Sequence, residues 1–370
     1  MRNSPACAMF GIHTPIFAFS HCRDVVVEAS KAGGLGVLGT AHFTPEELRR
    51  ELDWIDAHID GRPYGLDILM PTTYARVDAS SLDTGQLLPD EHRRFMAKLL
   101  EDNGIPPLPD GMAEDIRRAT LRRMTVTPEQ HEEVLEIAFE HPFALLAAAL
   151  GRPNDSVVKR ARERGIRIAS LVGSPEHAQR QRDAGADLII AQGTEAGGHT
   201  GAIATMVLTP QIVDLVAPVP VLAAGGIATG RQMAAAMALG AAGVWCGSVW
   251  LCTAQSDAPP EVKRKILAAR SQDAVISRSY SGKPSRVLKS GWTDAWTAAG
   301  APDPLMMPLQ SLLTKEAMAR VTRANAEAMA SYPAGQVIGQ MKNETTVRQI
   351  FYDMLAEFAE AVDRLNHLGD

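Results

Sequence analysis

A (β/α)8 barrel, an α/β fold, is the class this sequence predicts, on three observations. Short apolar runs alternate with amphipathic segments across the first 252 residues of the 370-residue chain. The runs are almost continuously apolar, as parallel strands buried on both faces are. They number eight, and the last three end in glycine-rich turns. An open doubly wound sheet is the alternative, and the even spacing favours the barrel.

Taken in order, "PIFAF" (15–19) reads as the first strand and 23–33 as a helix ending at glycine. "LGVLG" (35–39) is the second strand. The next helix (44–59) opens on a strong signal: Thr44 as cap, Pro45 in the first turn and Glu47 three residues on. "PYGLDILMP" (63–71) is the third strand. The stretch 72–141 reads as a long insertion, with loops at "SSLDTGQLLPDE" and "DNGIPPLPDG" between helical pieces. "PFALLAAAL" (142–150) is the fourth strand, and the rhythm then tightens. Strands fall at 166–172, 186–192, 219–226 and 241–248, separated by helices at 155–165, 174–185, 209–218 and 229–240. The expected organisation is a barrel over 1–255, a smaller helix-and-loop segment over 256–345 covering the active site, and a C-terminal helix over 346–370 packing on the barrel.

Composition excludes several classes. Charged residues are 22 % and the net charge is −6, which argues against nonspecific nucleic-acid binding. No apolar run is long enough to span a membrane. The interrupted start lacks the pattern of a signal peptide. Cys7, Cys22, Cys246 and Cys252 match no zinc or redox spacing and read as reduced thiols of a cytoplasmic protein. No metal is expected: His13, His42, His58, His92, His131, His141, His177 and His367 have no ligand spacing and read as surface or turn residues. His21 and Cys22 are chain neighbours that point to opposite faces, which argues against a nucleophile pair. Trp292 and Trp296, four apart, read as core or, less favoured, as a lid over the site.

Glycine carries the functional signal. Gly34-Leu35-Gly36-Val37-Leu38-Gly39 matches the dinucleotide fingerprint, but a helix precedes it and the motif is itself the strand, so it reads as a tight αβ turn. The turns after strands six to eight differ: Gln192-Gly193, Gly225-Gly226 and Gly247-Ser248 lie at strand ends, where barrel active sites form. Glycine lets backbone N–H groups approach an anion, and a following helix start adds attraction. Plain tight turns are the alternative. "AQGTEAGGHTG" (191–201) leaves strand six beside them. Its Gly193, Gly197 and Gly198 would let backbone run under a flat ligand, aiming His199 at the reactive face. There a histidine can move a proton near neutral pH or neutralise an anion, or merely cap a turn.

"AQGTEAGGHTG", "EASKAGGLGVLG", the 222–251 stretch and "PAGQVIG" (333–339) together resemble the nitronate monooxygenase family, formerly called 2-nitropropane dioxygenases. The enoyl-acyl-carrier-protein reductases built on flavin barrels carry a similar Gly-Gly-His segment. The resemblance implies FMN across the strand ends, with Ala18, Phe19 and Ser20 beside the ring and Gln192 and Gly193 hydrogen-bonded to the flavin. It implies Gly225, Gly226, Gly247 and Ser248 at the phosphate, His199 as the catalytic histidine and Gln336 approaching the site. Two departures stand out. The first strand runs into "FAFSHCRD" where the family has a Pro-Met-Ala-Gly-like segment, and Asp67 stands where the family offers an asparagine to the cofactor. Asp67 either pairs with a cation or faces the flavin, where a carboxylate would oppose negative charge on the reduced ring. The implied activity is oxidation of alkyl nitronates or nitroalkanes by O2 in a monomer or homodimer. An NAD(P)H-dependent flavin reductase, or a catalytically silent binding module, are the alternatives.

Overall fold

The computed structural model describes residues 3–41, 43–70, 87–124, 128–149 and 151–368. The first half of the barrel holds α1 (Pro5–Phe10), β1 (Ile16–Ser20), α2 (Arg23–Lys31), β2 (Leu35–Gly39), α3 (Pro45–His58) and β3 (Tyr64–Leu69). Next come α4 (Asp90–Asp102), α5 (Met112–Met124), α6 (Pro128–Phe139), β4 (Leu145–Ala149), α7 (Asp155–Glu163), β5 (Arg167–Val172), α8 (Pro175–Asp183) and β6 (Leu188–Gln192). A two-residue strand, β7 (Gly198–His199), precedes α9 (Thr205–Val216), β8 (Val221–Ala224), α10 (Gly230–Ala238) and β9 (Gly243–Cys246). The remainder is α11 (Pro260–Ala268), β10 (Ala274–Ser277), β11 (Ser285–Leu288), α12 (Gly291–Ala295), α13 (Leu309–Arg323) and α14 (Val347–Asn366).

Eight parallel strands close a barrel in the order β1-β2-β3-β4-β5-β6-β8-β9, with β9 returning to β1. The fold is therefore a (β/α)8 barrel. The period-2 alternation of each strand sorts its residues. Phe17, Val37, Leu145, Ala147, Ala169, Ile190, Leu222 and Trp245 fill the bore, and α1 closes its lower end with Ala6, Cys7 and Phe10. Tyr64, Leu66 and Ile68 of β3 instead face the helix layer, with Leu48, Leu52 and Ile55 of α3. With the bore packed and its lower end shut, the open face is the C-terminal ends of the strands.

The capping box foreseen at Thr44 and Glu47 forms: Glu47 N–H donates to the Thr44 hydroxyl and Thr44 N–H to the Glu47 carboxylate. One helix begins earlier than its sequence pattern. α9 starts at Thr205 and runs through Pro210, because the carbonyl that loses its partner belongs to Met206, which is exposed to water.

The segments outside the barrel repeat join each other. Leu88, Met96, Leu100 and Leu121 share one apolar cluster with Trp292, Trp296, Leu312, Leu313 and Val321. Trp292 and Trp296 are thus core residues of that cluster. "DNGIPPLPDG" links α4 and α5 as expected, whereas 80–86 lies outside the described residues. Three histidines read as surface or turn residues are buried instead, because polar partners await them inside. His92 Nε2 lies 2.8 Å from the Asp303 carbonyl and His141 Nδ1 2.7 Å from Asp56 Oδ2. The buried His131 meets the Leu69 carbonyl, and burial lowers its pKa. His42 lies outside the described residues. Among the described residues no helix is long and apolar enough to cross a membrane, and no three His, Cys, Asp or Glu side chains cluster to hold a metal.

Candidate active site

The loop after β6 is built backbone on backbone. Gly193 N–H donates to the Ala224 carbonyl, Thr194 N–H to Ile203, and Ala196 N–H to Gly193. A Cβ on Gly197 would fall 2.7 Å from Gly335 N, so only glycine lets the 333–336 segment lie against the loop. That segment is then fixed: Gln336 N–H donates to the Glu195 carbonyl at 3.0 Å, and Gly335 N–H to the Ser248 hydroxyl at 2.8 Å. Gln336 is brought to the strand ends in this way.

His199 is held by an element the sequence reading missed. β7 pairs antiparallel with β11, which pairs with β10, so His199 sits on a three-stranded sheet beside the barrel mouth. No local signal announced it: neither "SRVL" (285–288) nor "AVIS" (274–277) alternates in polarity. Arg286 of β11 is buried and stitches the loop down, its Nε donating to the Thr194 carbonyl at 2.8 Å and its Nη1 to the Ala274 carbonyl at 2.6 Å. Gln192 donates an amide N–H to the His199 carbonyl at 3.0 Å.

The exposed His199 ring has one polar partner among the described residues: Nε2 lies 2.7 Å from the hydroxyl of buried Ser281. Ser281 was not foreseen either. Its loop is pinned by α13, where Gln310 and Thr314 both donate to the Ser279 carbonyl, at 2.8 and 3.0 Å. The surrounding protein and the Lys283 cation push the His199 pKa below the ordinary histidine value, so the ring is neutral at pH 7. A neutral, anchored imidazole can accept a proton or hydrogen-bond an anion.

Against the 193–196 part of the same loop lies a glycine cradle. Gly225 and Gly226 adopt left-handed φ values of 95° and 73°, which only glycine takes without strain. A Cβ on Gly198 would meet nothing within 4 Å, and one on Gly247 only Phe19 at 3.7 Å. Among the described residues the N–H groups of Gly226, Ile227, Gly247 and Ser248 find no acceptor. The nearby helix starts are already served. Glu195 accepts Thr205 N–H at 2.9 Å at the head of α9, and Glu357 of α14 accepts Gly230 N–H at 2.9 Å at the head of α10. Gln232 takes the N–H groups of Ala228 and Thr229. The α10 start expected to attract an anion therefore has a carboxylate on its first N–H, which leaves the glycine loops as the free donors.

At the opposite rim, Phe19 and Ser20 are half-buried near the mouth, whereas Ala18 packs outward against the helix layer, so only its backbone faces the site. Phe19 stacks on Trp245 at 5.8 Å. Asp67 points inward beside Gly39 and Ala147 and is 7 % exposed. No cation reaches its carboxyl among the described residues, and burial raises its pKa to about 7.

The sequence model of nitronate monooxygenases matches residues 7–357. The chain belongs to the nitronate monooxygenase family. A Mycobacterium tuberculosis protein named as a monooxygenase is 47 % identical over 369 residues, covering 97 % of each chain. A Staphylococcus saprophyticus protein named as a nitronate monooxygenase is 29 % identical, over 81 % of this chain and 82 % of its own. Among solved structures, a nitroalkane oxidase from Streptomyces ansochromogenes superposes with a TM-score of 0.77 at 26 % identity, over 96 % of this chain and 98 % of that one. FabK from Thermotoga maritima superposes at 0.74 with 25 % identity, over 99 % of both. The family and these neighbours make the chain an oxidoreductase.

Proposed function

We propose that this protein oxidises alkyl nitronates with O2, giving a carbonyl compound and nitrite, and that FMN is its cofactor. The observation that carries the reading is His199: neutral, anchored through Ser281, and standing at the mouth in a loop that packs against a glycine cradle of free N–H donors.

The residues fit FMN. A phosphate needs several N–H donors without intervening side chains, which Gly226, Ile227, Gly247 and Ser248 offer. A flat ring needs open backbone, which Gly198 leaves near Gln192, and an apolar wall, which Phe19 and Trp245 give; Gly193 instead lets the loop pack against Thr205. Gly225 sets the turn, Ala18 and Ser20 carry β1 past the ring, and Gln336 closes the side. When bound, FMN accepts electrons from the substrate carbon and passes them to O2. His199 hydrogen-bonds the nitronate oxygens, or takes the α-proton of a neutral nitroalkane, and Ser281 fixes which ring nitrogen faces the substrate. No nicotinamide is required.

The likeness to FabK supports a second reading, an NAD(P)H-dependent flavin reductase acting on an enoyl thioester or quinone. Steady-state assays separate the two. The first reading expects nitrite release and O2 consumption from an alkyl nitronate with no nicotinamide present. Turnover only with NADH or NADPH overturns it. We further propose that the enzyme works in the cytoplasm, as a monomer or homodimer.

A further inference from the structure

Asp67 is a carboxyl group at the top of a packed apolar bore, and no described residue brings a cation to it. We propose that Asp67 serves as a neutral carboxylic acid whose O–H donates a hydrogen bond to the flavin seated over β3, so that retention of FMN depends on that proton. This inference rests on the FMN reading above.

Geometry sets the orientation. Tyr64, Leu66 and Ile68 face the helix layer, so Asp67 faces the bore by alternation. Its backbone carbonyl accepts both the N–H and the hydroxyl of Thr40, each at 3.0 Å, which fixes the strand at this level. Its register neighbours are Gly39 and Ala147, neither of which offers a polar side chain. Apolar residues fill the bore below. The carboxyl can therefore meet a polar partner only from the mouth, where any ring laid across the strand ends would rest.

Its electrostatic surroundings favour the proton. β2 and β4 carry no titratable side chain. α2 carries Arg23, Asp24, Glu28 and Lys31 outside the barrel, with Arg23 paired to Glu51, Lys31 to Asp60 and Glu28 to Arg348. On α3, Asp56 faces outward to the Tyr64 hydroxyl and His141, and Glu47 caps its own helix. Beyond β1, His21 Nδ1 lies 2.8 Å from the Gly39 carbonyl, and on α6 His131 meets Leu69; burial lowers both pKa values, so neither supplies a cation at neutral pH. Burial alone moves the Asp67 pKa, up to about 7.

A flavin edge presents carbonyl oxygens, which accept. A protonated acid can donate to them, whereas a carboxylate repels them and could bond only the ring N–H that lies between two of them. With its O–H on a carbonyl, the bound state favours the protonated acid. FMN affinity is level at low pH and falls as pH rises through the pKa of the flavin-free site, by up to about tenfold per unit. Asparagine, with an amide N–H in nearly the same place, should donate without titrating.

The test uses purified holoprotein. Wild type and Asp67→Asn are diluted at pH 5.5 to 8.5, and released FMN is read by its fluorescence. The phosphate of FMN titrates equally in both proteins, so their difference isolates residue 67. The expected result is wild-type release that steepens above pH 7 relative to that of Asp67→Asn, which follows the phosphate alone. Wild-type release that does not change with pH, or two parallel curves, overturns the proposal and leaves the FMN reading standing. If neither protein carries FMN at any pH, the cofactor reading falls and the proposal with it.

Discussion

Two glycine-rich stretches of this chain look alike in sequence and do opposite work. In Gly34–Gly39 every glycine is filled in: a Cβ on Gly36 would fall 2.1 Å from the Val26 carbonyl, and one on Gly34 2.5 Å from the Ile16 carbonyl. Gly36 lets α2 lie tight against β2, and Gly34 and Gly39 make room for Phe351 and His21. In the strand-end turns, Gly198 has nothing within 4 Å and Gly247 meets only Phe19 at ordinary contact distance, its ring at 3.7 Å and its carbonyl at 4.0 Å. At these two positions the missing side chain leaves room, whereas Gly193, Gly197 and Gly225 are packed against Thr205, Gly335 and Ala196. Glycine density therefore does not identify a site; what matters is which end of the barrel the glycines occupy and whether space remains beside them.

Substitutions can break this contrast. The largest effect is expected at the open end. His199→Asn should lower kcat/KM for a nitronate by about 10²- to 10⁴-fold while the thermal midpoint stays within a degree or two, because the exposed ring has only one polar partner to lose among the described residues. A matching loss of stability would make His199 a structural residue. At the packed end, Gly36→Ala should cost about 1–3 kcal/mol by overpacking against the Val26 backbone, read by urea denaturation. Ser281→Ala comes next. Losing one hydrogen bond to His199 should cost about tenfold in kcat/KM and shift the pH–rate profile, with stability changed by about 1 kcal/mol. Gly247→Ala should leave the urea midpoint close to wild type and weaken FMN binding severalfold, since its Cβ meets nothing closer than ordinary contact distance. An equal stability loss for Gly36→Ala and Gly247→Ala would erase the distinction.

Asp67 sharpens the same contrast from within the bore. Its folded-state pKa is raised, so the stability it contributes is full below the ordinary carboxylate pKa and is lost as pH rises through about 7. Asp67→Asn removes that loss. The variant should exceed wild type in thermal midpoint by less at pH 5, where only part of the loss has occurred, than at pH 8. A constant difference across that range would mean the carboxyl does not titrate there.

The barrel was legible in the sequence because its strands are continuously apolar and its helices carry their own starts, as Thr44, Ser174 and Thr229 do through hydrogen bonds to their third helical residues. The glycine turns and His199 were legible because strand ends and flexible backbone coincide there. What holds them was not. Ser281, Arg286 and the β7–β11 pairing come from residues about 80 to 90 positions downstream, and no local period announces a contact at that separation. The cluster joining Leu100 to Trp292 escaped for the same reason, since each half reads as an ordinary amphipathic helix. His92 and His141 were misjudged because burial of a histidine depends on a distant carbonyl or carboxylate that its neighbours in the chain do not reveal.

The central claim is that a nitronate itself, met by His199, reduces the enzyme. The direct measurement is anaerobic. Purified holoprotein is mixed with an alkyl nitronate, and separately with NADH or NADPH, while the flavin absorbance is followed. The account predicts bleaching by the nitronate alone, slowed about 10²-fold or more in His199→Asn. Bleaching only by a nicotinamide would contradict it and establish the chain as a reductase.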